Sequence, residues 1–335
     1  MKISVIVRTC NRPDFLEQSL VSIQLQTHKD WEVIVFDDGD NPKNQKVVNE
    51  FKKRVPTHTI TYINSGGSYH LFKESWKIAP KVSNGEVMIR LDDDDLLDFD
   101  SLSFIDKVFS ETPDLDFAYG SSVLFKDKSK ELTEIMPTIT PLDIPKSRDI
   151  WAGYVEKPWN TPWTFTQNYY DEPQHITSII HASKLNIMCV FHPYIMRTSS
   201  VLKVLDKITM TSNFVDDLEF LSSLDYLGLG FQSLKKVLTY VRKHEHKDGS
   251  ITDGRTIDGT TLWDDIMRIR EKVDLELRPI GLDYLSNVVD VNVEGNHNNG
   301  VSEPLKQRFK YINTAIDEVL NPPQPTLGKF DWRRF

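Results

Sequence analysis

Residues 87–100, VMIRLDDDDLLDFD, climb from an apolar run (Val87–Leu91) into four consecutive aspartates, with Asp98 and Asp100 close behind. Four adjacent carboxylates repel one another, and in isolation some would hold their protons above the usual carboxylate range. Either water and a helix start absorb such crowding, or a cation does. Hard divalent cations such as Mg²⁺ and Mn²⁺ take oxygen ligands, often one or two carboxylates together with substrate phosphates. Alternate residues of a strand share a face. Asp92 and Asp94 are therefore expected on one side of the strand exit, and Asp93 and Asp95 on the other. Asp98 and Asp100, just ahead of LSFIDKVF, are expected to be helix-start acids with a structural role.

The segments around this stretch decide the fold. ISVIV (Ile3–Val7), EVIVF (Glu32–Phe36), TITYI (Thr59–Ile63) and EVMIRL (Glu86–Leu91) are short runs rich in β-branched residues. The first two are too apolar for half-exposed strands, which predicts buried parallel ones. Pro13 opens a helical stretch with Leu16, Leu20 and Ile23 on one face. Helical spacing recurs around Val47, Val48 and Phe51, and again over His70–Ala79. Strand–helix alternation with short links predicts an α/β fold with a mostly parallel twisted sheet and right-handed crossovers. Ligands of such sheets sit beyond the carboxyl ends of the strands. Three of these ends are chemically loaded: Arg8-Thr9, Asp37-Asp38-Gly39 and Asp92–Asp95. Asp and Gly also punctuate ordinary strand ends. Neighbouring strands would bring all three to one rim, and that convergence outweighs any single motif.

Beyond residue 126 the pattern weakens. Prolines and tryptophans (Trp151, Pro158, Trp159, Pro162, Trp163) mark an irregular insertion expected to cover a site. Its tryptophans serve equally as core fillers or as a sugar-stacking wall. Apolar order resumes at Ile187–Ile195, followed by a helix over Val215–Gly228 and a strand over Lys236–Val241. Two amphipathic stretches, near Leu262–Val273 and Lys306–Leu320, complete the chain. The expected division is a domain over 1–250, with halves 1–120 and 121–250, and a helical extension over 251–335.

The 335 residues carry a net charge of −9, which argues weakly against non-specific nucleic-acid binding. The two cysteines, Cys10 and Cys189, show neither metal nor disulfide spacing, so a reducing, cytoplasmic setting is expected. The opening MKISVIVRTCNRPDFL lacks the form of a signal peptide. No apolar run is long enough to span a bilayer.

The chain resembles the family 2 inverting glycosyltransferases of the GT-A fold. SVIVRTCNRPDFLEQSLVSIQLQT is similar to that family's opening strand, its "TYNR"-like turn and the helix ending in "QT". WEVIVFDDGD is similar to its nucleotide-binding "DDGS" segment, and NGEVMIRLDDDDLL to its "GE-strand-DxDD" element. VDDLEFLSSLDYLG resembles the later "ED" helix that carries the base, and YVRKHEHKDGSIT the "YRxHxxS" segment. The five elements occur in order across about residues 1–250.

The resemblance implies a metal-dependent, nucleotide-sugar-dependent enzyme with Mn²⁺ or Mg²⁺ and a UDP-sugar donor. The implied acceptor is the hydroxyl of a glycan, a lipid-linked sugar or another molecule. Arg8, Thr9 and Asp38 would border the base and ribose, with Asp37 beside them. Asp92 and Asp94 would be the DxD pair with Asp93 between them, Asp94 the direct metal ligand and Asp95 on the acceptor side. Asp217 would be the general base, with Asp216 in place of the family's Glu. His244 or His246 would reach the metal or the diphosphate. The family often has Pro at Arg8 and Tyr at Cys10. Where it reads "ARNxG" this chain has LFKESWK, leaving Lys73 as the nearest cation. Arg197 and Lys203 are further candidate phosphate ligands or plain surface charges.

Alternatives stay open at this level. One is a non-catalytic sugar-nucleotide or glycan-binding module. Others are a nucleotidyltransferase, or another diphosphate enzyme reading Asp94–Asp98 as a DDxxD motif.

Overall fold

A computed structural model describes residues 1–67, 71–136, 193–206, 211, 220, 231–244, 256–257, 260–261 and 303–322. Four strands, β1 (Ile3–Thr9), β2 (Trp31–Asp37), β3 (Ile60–Asn64) and β4 (Val87–Asp92), lie parallel in the order β3-β2-β1-β4. All seven residues of β1 and of β2 are buried, as continuous β-branched runs demand of strands covered on both faces. Alternation splits their side chains. Ile3, Val5 and Val7 pack with Leu16, Leu20 and Ile23 of α1 (Pro13–Gln24), Val48 and Phe51 of α2 (Pro42–Arg54), and Leu102, Ile105 and Phe109 of α4 (Ser101–Glu111). Ile6, Ile34, Phe36 and Met88 face the other way. There they meet Trp76 and Ala79 of α3 (Leu71–Val82), and Val201 and Val204 of α5 (Thr198–Leu205). Period-two strands sorting two sets of helices produce the three-layer α/β architecture.

The parallel sheet expected from the sequence is the amino-terminal half; the other half is mixed. β8 (Tyr194–Arg197) runs antiparallel to both β4 and β6 (Phe117–Lys126). β9 (Phe231–Lys243) runs parallel to β6, while β7 (Leu132–Met136) and the two-residue β5 (Leu96–Leu97) pair antiparallel with β6 and β9. A separate two-stranded ribbon joins β10 (Thr256–Ile257) to β11 (Thr260–Thr261). α3 extends three residues past the predicted Ala79, with Pro80 in its last turn, where little of the helix remains for it to break.

A third apolar cluster lies under α6 (Glu303–Leu320). Leu305, Phe309, Ile312 and Ile316 recur at helical spacing and pack on Val21, Leu96, Val123, Phe125, Val237 and Tyr240. The predicted amphipathic stretch at Lys306–Leu320 is thus a helix docked on the mixed half of the sheet. Among the described residues, no helix is long and apolar enough to cross a membrane.

Candidate active site

The three loaded strand ends do meet. The register pairs Arg8 with both Phe36 and Asp92, and Thr9 with Asp37, so β1, β2 and β4 all exit at one rim. Backbone bonds tie the exits together, from Asp38 N to the Thr9 carbonyl (2.9 Å) and from Asp93 N to the Arg8 carbonyl (3.2 Å).

The alternation expected of the four aspartates stops at Asp92. There β4 ends and the chain turns, with Asp95 N donating to the Asp92 carbonyl at 3.2 Å. A turn rotates successive side chains away from period two, and this corrects the expected pairing of faces. Asp92, Asp94 and Asp95 each offer a carboxylate oxygen, all within 4.8 Å of one another. Asp93 instead points inward and is 0% exposed. It accepts from Thr9 Oγ1 at 2.6 Å and from Arg12 through Nε at 3.2 Å and a terminal nitrogen. Burial pushes the Asp93 carboxyl up to about 7, while the Arg12 charge pulls it the other way. Burial, then the charges of Asp94 and Asp92, hold Asp95 well above the usual carboxylate range. The cluster is therefore a set of convergent oxygen ligands under mutual repulsion, which is the donor chemistry a hard divalent cation takes.

Basic side chains already crowd its flank. Asp94 Oδ2 contacts both Arg12 (2.8 Å) and His244 Nε2 (2.8 Å), and Arg8 stands 3.6 Å from Asp92 Oδ1. Arg242 Nε donates to the Asp94 carbonyl (3.0 Å) and its backbone N to Asp95 Oδ1 (3.2 Å). The rest of that guanidinium reaches Asp127 and Gln18, and it is flanked by the Phe15 and Phe125 rings. Sequence reading assigned no role to Arg12 or Arg242, although both stand inside segments quoted for the family. The available signal was position: each follows a strand or turn that the topology aims at the acid rim.

On the other side of β1, Asp37 is turned into its own loop. It accepts from Gly39 N (2.9 Å), Asn44 Nδ2 (3.1 Å) and the Tyr62 hydroxyl (2.6 Å). Burial, followed by the bond to Asp37, pushes the Tyr62 hydroxyl upward, so it stays a donor. Asp38 is 2% exposed, and its Oδ1 has no hydrogen-bond partner among the described residues. A buried acceptor left unmatched costs about 1–3 kcal/mol. The loop is held from below by Asn11 in the left-handed region (φ 57°), whose Oδ1 accepts from Asp40 N (3.0 Å) and Asn41 N (2.9 Å).

Gly39 passes so close to Asn11 that a Cβ there would sit 2.7 Å from Asn11 N and 2.8 Å from its Cγ. Gly39→Ala is expected to displace Asn11 and lose about 1–3 kcal/mol by overpacking. Thermal denaturation checks this; an unchanged melting temperature would show that the loop has slack.

Two expected roles are corrected. Asp98 and Asp100 make no side-chain cap at the start of α4; they bond Arg308, Tyr240 and Lys236 instead. Arg197 donates to the carbonyls of Phe109, Thr112 and Leu115 at the end of α4, a cation closing a helix carboxyl end rather than an exposed phosphate ligand. Trp151, Trp159, Trp163, Asp216, Asp217 and His246 lie outside the described residues. So does the side chain of Lys73, whose backbone is in α3.

The model of Glycosyl transferase family 2 matches residues 4–179, more than half of the 335. Protein CgeD of Bacillus subtilis is 25% identical over 123 residues, covering 36% of this chain and 29% of that protein. The GalNAc(5)-diNAcBac-PP-undecaprenol beta-1,3-glucosyltransferase of Campylobacter jejuni is 35% identical over 104 residues, covering 29% of this chain and 30% of the relative. The matches span about a third or less of the first curated relatives, 29% and 33% of their lengths. Among solved structures, S. aureus TarS 1-349 aligns with a TM-score of 0.52 at 17% identity, over 96% of this chain and 81% of that one. With the acid rim, the buried loop after β2 and this family match together, the chain belongs to glycosyl transferase family 2 and carries its GT-A fold.

Proposed function

We propose that this protein transfers a sugar from a nucleoside-diphosphate donor, a UDP-sugar, to an acceptor hydroxyl with inversion and with Mn²⁺ or Mg²⁺ bound. The observation that carries this reading is the convergence of Asp92, Asp94 and Asp95 oxygens at the same rim as the buried, unmatched Asp38 Oδ1. A diphosphate bridging the two would place its nucleoside over β1 and its phosphates over the acid turn. TarS 1-349 has been crystallised with UDP-GlcNAc, and its TM-score of 0.51 in that complex supports a sheet of this shape accommodating such a donor. The Campylobacter relative is named for an undecaprenol-linked acceptor and a Bacillus spizizenii relative for poly(ribitol-phosphate). Lipid-linked and polymeric glycans therefore head the acceptor classes.

In this mechanism Asp94, with Asp92 and Asp95, would hold the cation, and His244 and Arg12, both in contact with Asp94 Oδ2, would orient Asp94. Asp93 anchors the turn by clasping Thr9 and Arg12. Asp38 accepts from the base or ribose, Asp37 shapes the loop that presents it, and Arg8 and Lys73 are the cations this reading assigns to the phosphates. When bound, the cation neutralises the charge on the departing nucleoside diphosphate. Asp217 takes the acceptor's proton as its oxygen attacks the anomeric carbon from the face opposite the leaving group. The new glycosidic bond forms as the bond to the diphosphate breaks, with no covalent sugar intermediate. Asp216 and the tryptophans 151, 159 and 163 are the candidates this reading assigns to the acceptor.

A panel of nucleotide-sugars, each with Mn²⁺ and then with chelator, tests the reading. Donor at a hundredfold its dissociation constant adds about 2.7 kcal/mol by mass action, which appears as a rise of several degrees in melting temperature. Stabilisation that ignores the chelator would overturn the metal assignment. Stabilisation without turnover on any hydroxyl acceptor would make the protein a binding module.

A further inference from the structure

The acid turn does not end at Asp95. Leu96 and Leu97 pair with Tyr240 and Thr239 of β9, and Leu97 N donates to Ser22 Oγ of α1 at 3.1 Å. The next residue, Asp98, is fully buried. Its Oδ2 accepts from the Tyr240 hydroxyl (2.7 Å) and Arg308 Nε (3.1 Å), and its Oδ1 from Arg308 Nη2 (2.6 Å). The same Nη2 reaches Asp100 Oδ1 at 2.7 Å, while Lys236 Nζ holds Asp100 Oδ2 at 2.8 Å. Between the two aspartates, the Phe99 ring lies 5.0 Å from the guanidinium carbon. One side chain of α6 therefore grips three consecutive residues, and that grip begins three positions after a carboxylate of the candidate metal site. α1, β9 and α6 hold the segment 95–100 from three sides. α6 is the one of the three in contiguous sequence farthest from the family match, which ends at residue 179.

An exposed ion pair of this kind would contribute little. Here one partner is buried, so removing the guanidinium costs more than an exposed pair would; it leaves Asp98 with the Tyr240 hydroxyl and Asp100 with Lys236, and it frees the segment on its α6 side. Asp98 lies three residues from Asp95, so a displacement of the freed segment is carried along the chain toward the acid turn.

We infer that Arg308 is a positioning residue: by clamping Asp98 and Asp100 from α6, it sets where the carboxylates of Asp92, Asp94 and Asp95 stand and so sets the cation affinity of the donor site. The inference rests on the proposed function, and it assigns the carboxyl-terminal helix a part in that site.

Mn²⁺ binding, alone and with UDP present, is followed by the electron paramagnetic resonance of the free ion in the unaltered protein, Arg308→Gln, Arg308→Lys and Ile316→Val. Ile316 packs on the same helix away from the clamp and reports on helix docking alone. Arg308→Gln is expected to weaken Mn²⁺ binding about tenfold, the lower end of what residues orienting metal ligands show. Arg308→Lys keeps the charge without the planar fork and is expected to lose less. Ile316→Val is expected to lower the melting temperature and leave Mn²⁺ affinity alone. Should Arg308→Gln fail to fold, Arg308→Lys decides. Unchanged affinity in the Arg308 variants overturns the inference and leaves the proposed function standing. So does an Ile316→Val loss that matches theirs at equal melting temperature. If the unaltered protein takes up no Mn²⁺ under either condition, both fall.

Discussion

Asp94→Ala is expected to lower metal-supported sugar transfer about a thousandfold, a loss of roughly 4 kcal/mol of transition-state stabilisation. Asp94 is the residue on which the site converges. Its carboxylate belongs to the three-oxygen cluster, and its Oδ2 is where Arg12 and His244 meet. Without it, Asp92 and Asp95 retain two ligands, but neither is aligned by those two side chains. The folded state should tolerate the change. Asp94 is among the charges that hold Asp95 above its ordinary range, so its removal relieves repulsion. Arg12 keeps its bonds to Asp93. The signature is a melting temperature near that of the unaltered protein without ligand, together with loss of the donor-plus-Mn²⁺ shift. Steady-state kinetics against Mn²⁺ concentration provide the second readout. Full activity in Asp94→Ala would remove the acid rim from the mechanism.

Asp217→Asn is expected to lower turnover by about a hundredfold to ten-thousandfold, the usual contribution of a positioned general base, with donor and Mn²⁺ binding intact. Neutral asparagine is close in shape to aspartate and accepts no proton at this step, so the change separates proton removal from binding. The contrast with Asp94→Ala is the useful part. In single displacement, leaving-group stabilisation and proton removal belong to different carboxylates, so one variant loses the donor shift and the other keeps it. Calorimetry with UDP and Mn²⁺, beside single-turnover measurements, resolves the two. Asp217→Asn with undiminished turnover would move the base elsewhere, and Asp216→Asn is the next variant to measure.

The parallel half of the fold was legible because its signals are local. β1 and β2 are apolar on both faces, and α1 repeats Leu16, Leu20 and Ile23 at helical spacing, so each announces itself within a dozen residues. Observed strand ends in this half differ from the expected ones by a residue or two, as strands extend into polar exits such as Arg8-Thr9. The mixed half was harder to read. β6 carries Gly120, Ser121 and Ser122 in its middle, where its register against β9 slips. Leu238 fills the space beside Gly120, where a Cβ would come within 2.7 Å of its Cγ. Small residues that make room for a neighbouring strand erase the alternation that marks one.

By itself, the sequence determined that strands alternate with helices, that three strand exits are polar, and that a run of aspartates stands at one of them. These follow from periodicity and chain order, which need no distant partner. The order β2-β1-β4, which brings the exits to one rim, came from the structure. The tertiary structure alone decided which aspartates converge. A turn after Asp92 gathers Asp94 and Asp95 with it and sends Asp93 inward to Thr9 and Arg12. It also decided that Arg242 bonds Asp94 and Asp95 and that Arg308 bonds Asp98 just beyond them, each across well over a hundred residues of chain. Each of those assignments depends on how a buried charge finds its counter-charge across the fold, and a carboxylate's partner in space is not written in its neighbours along the chain.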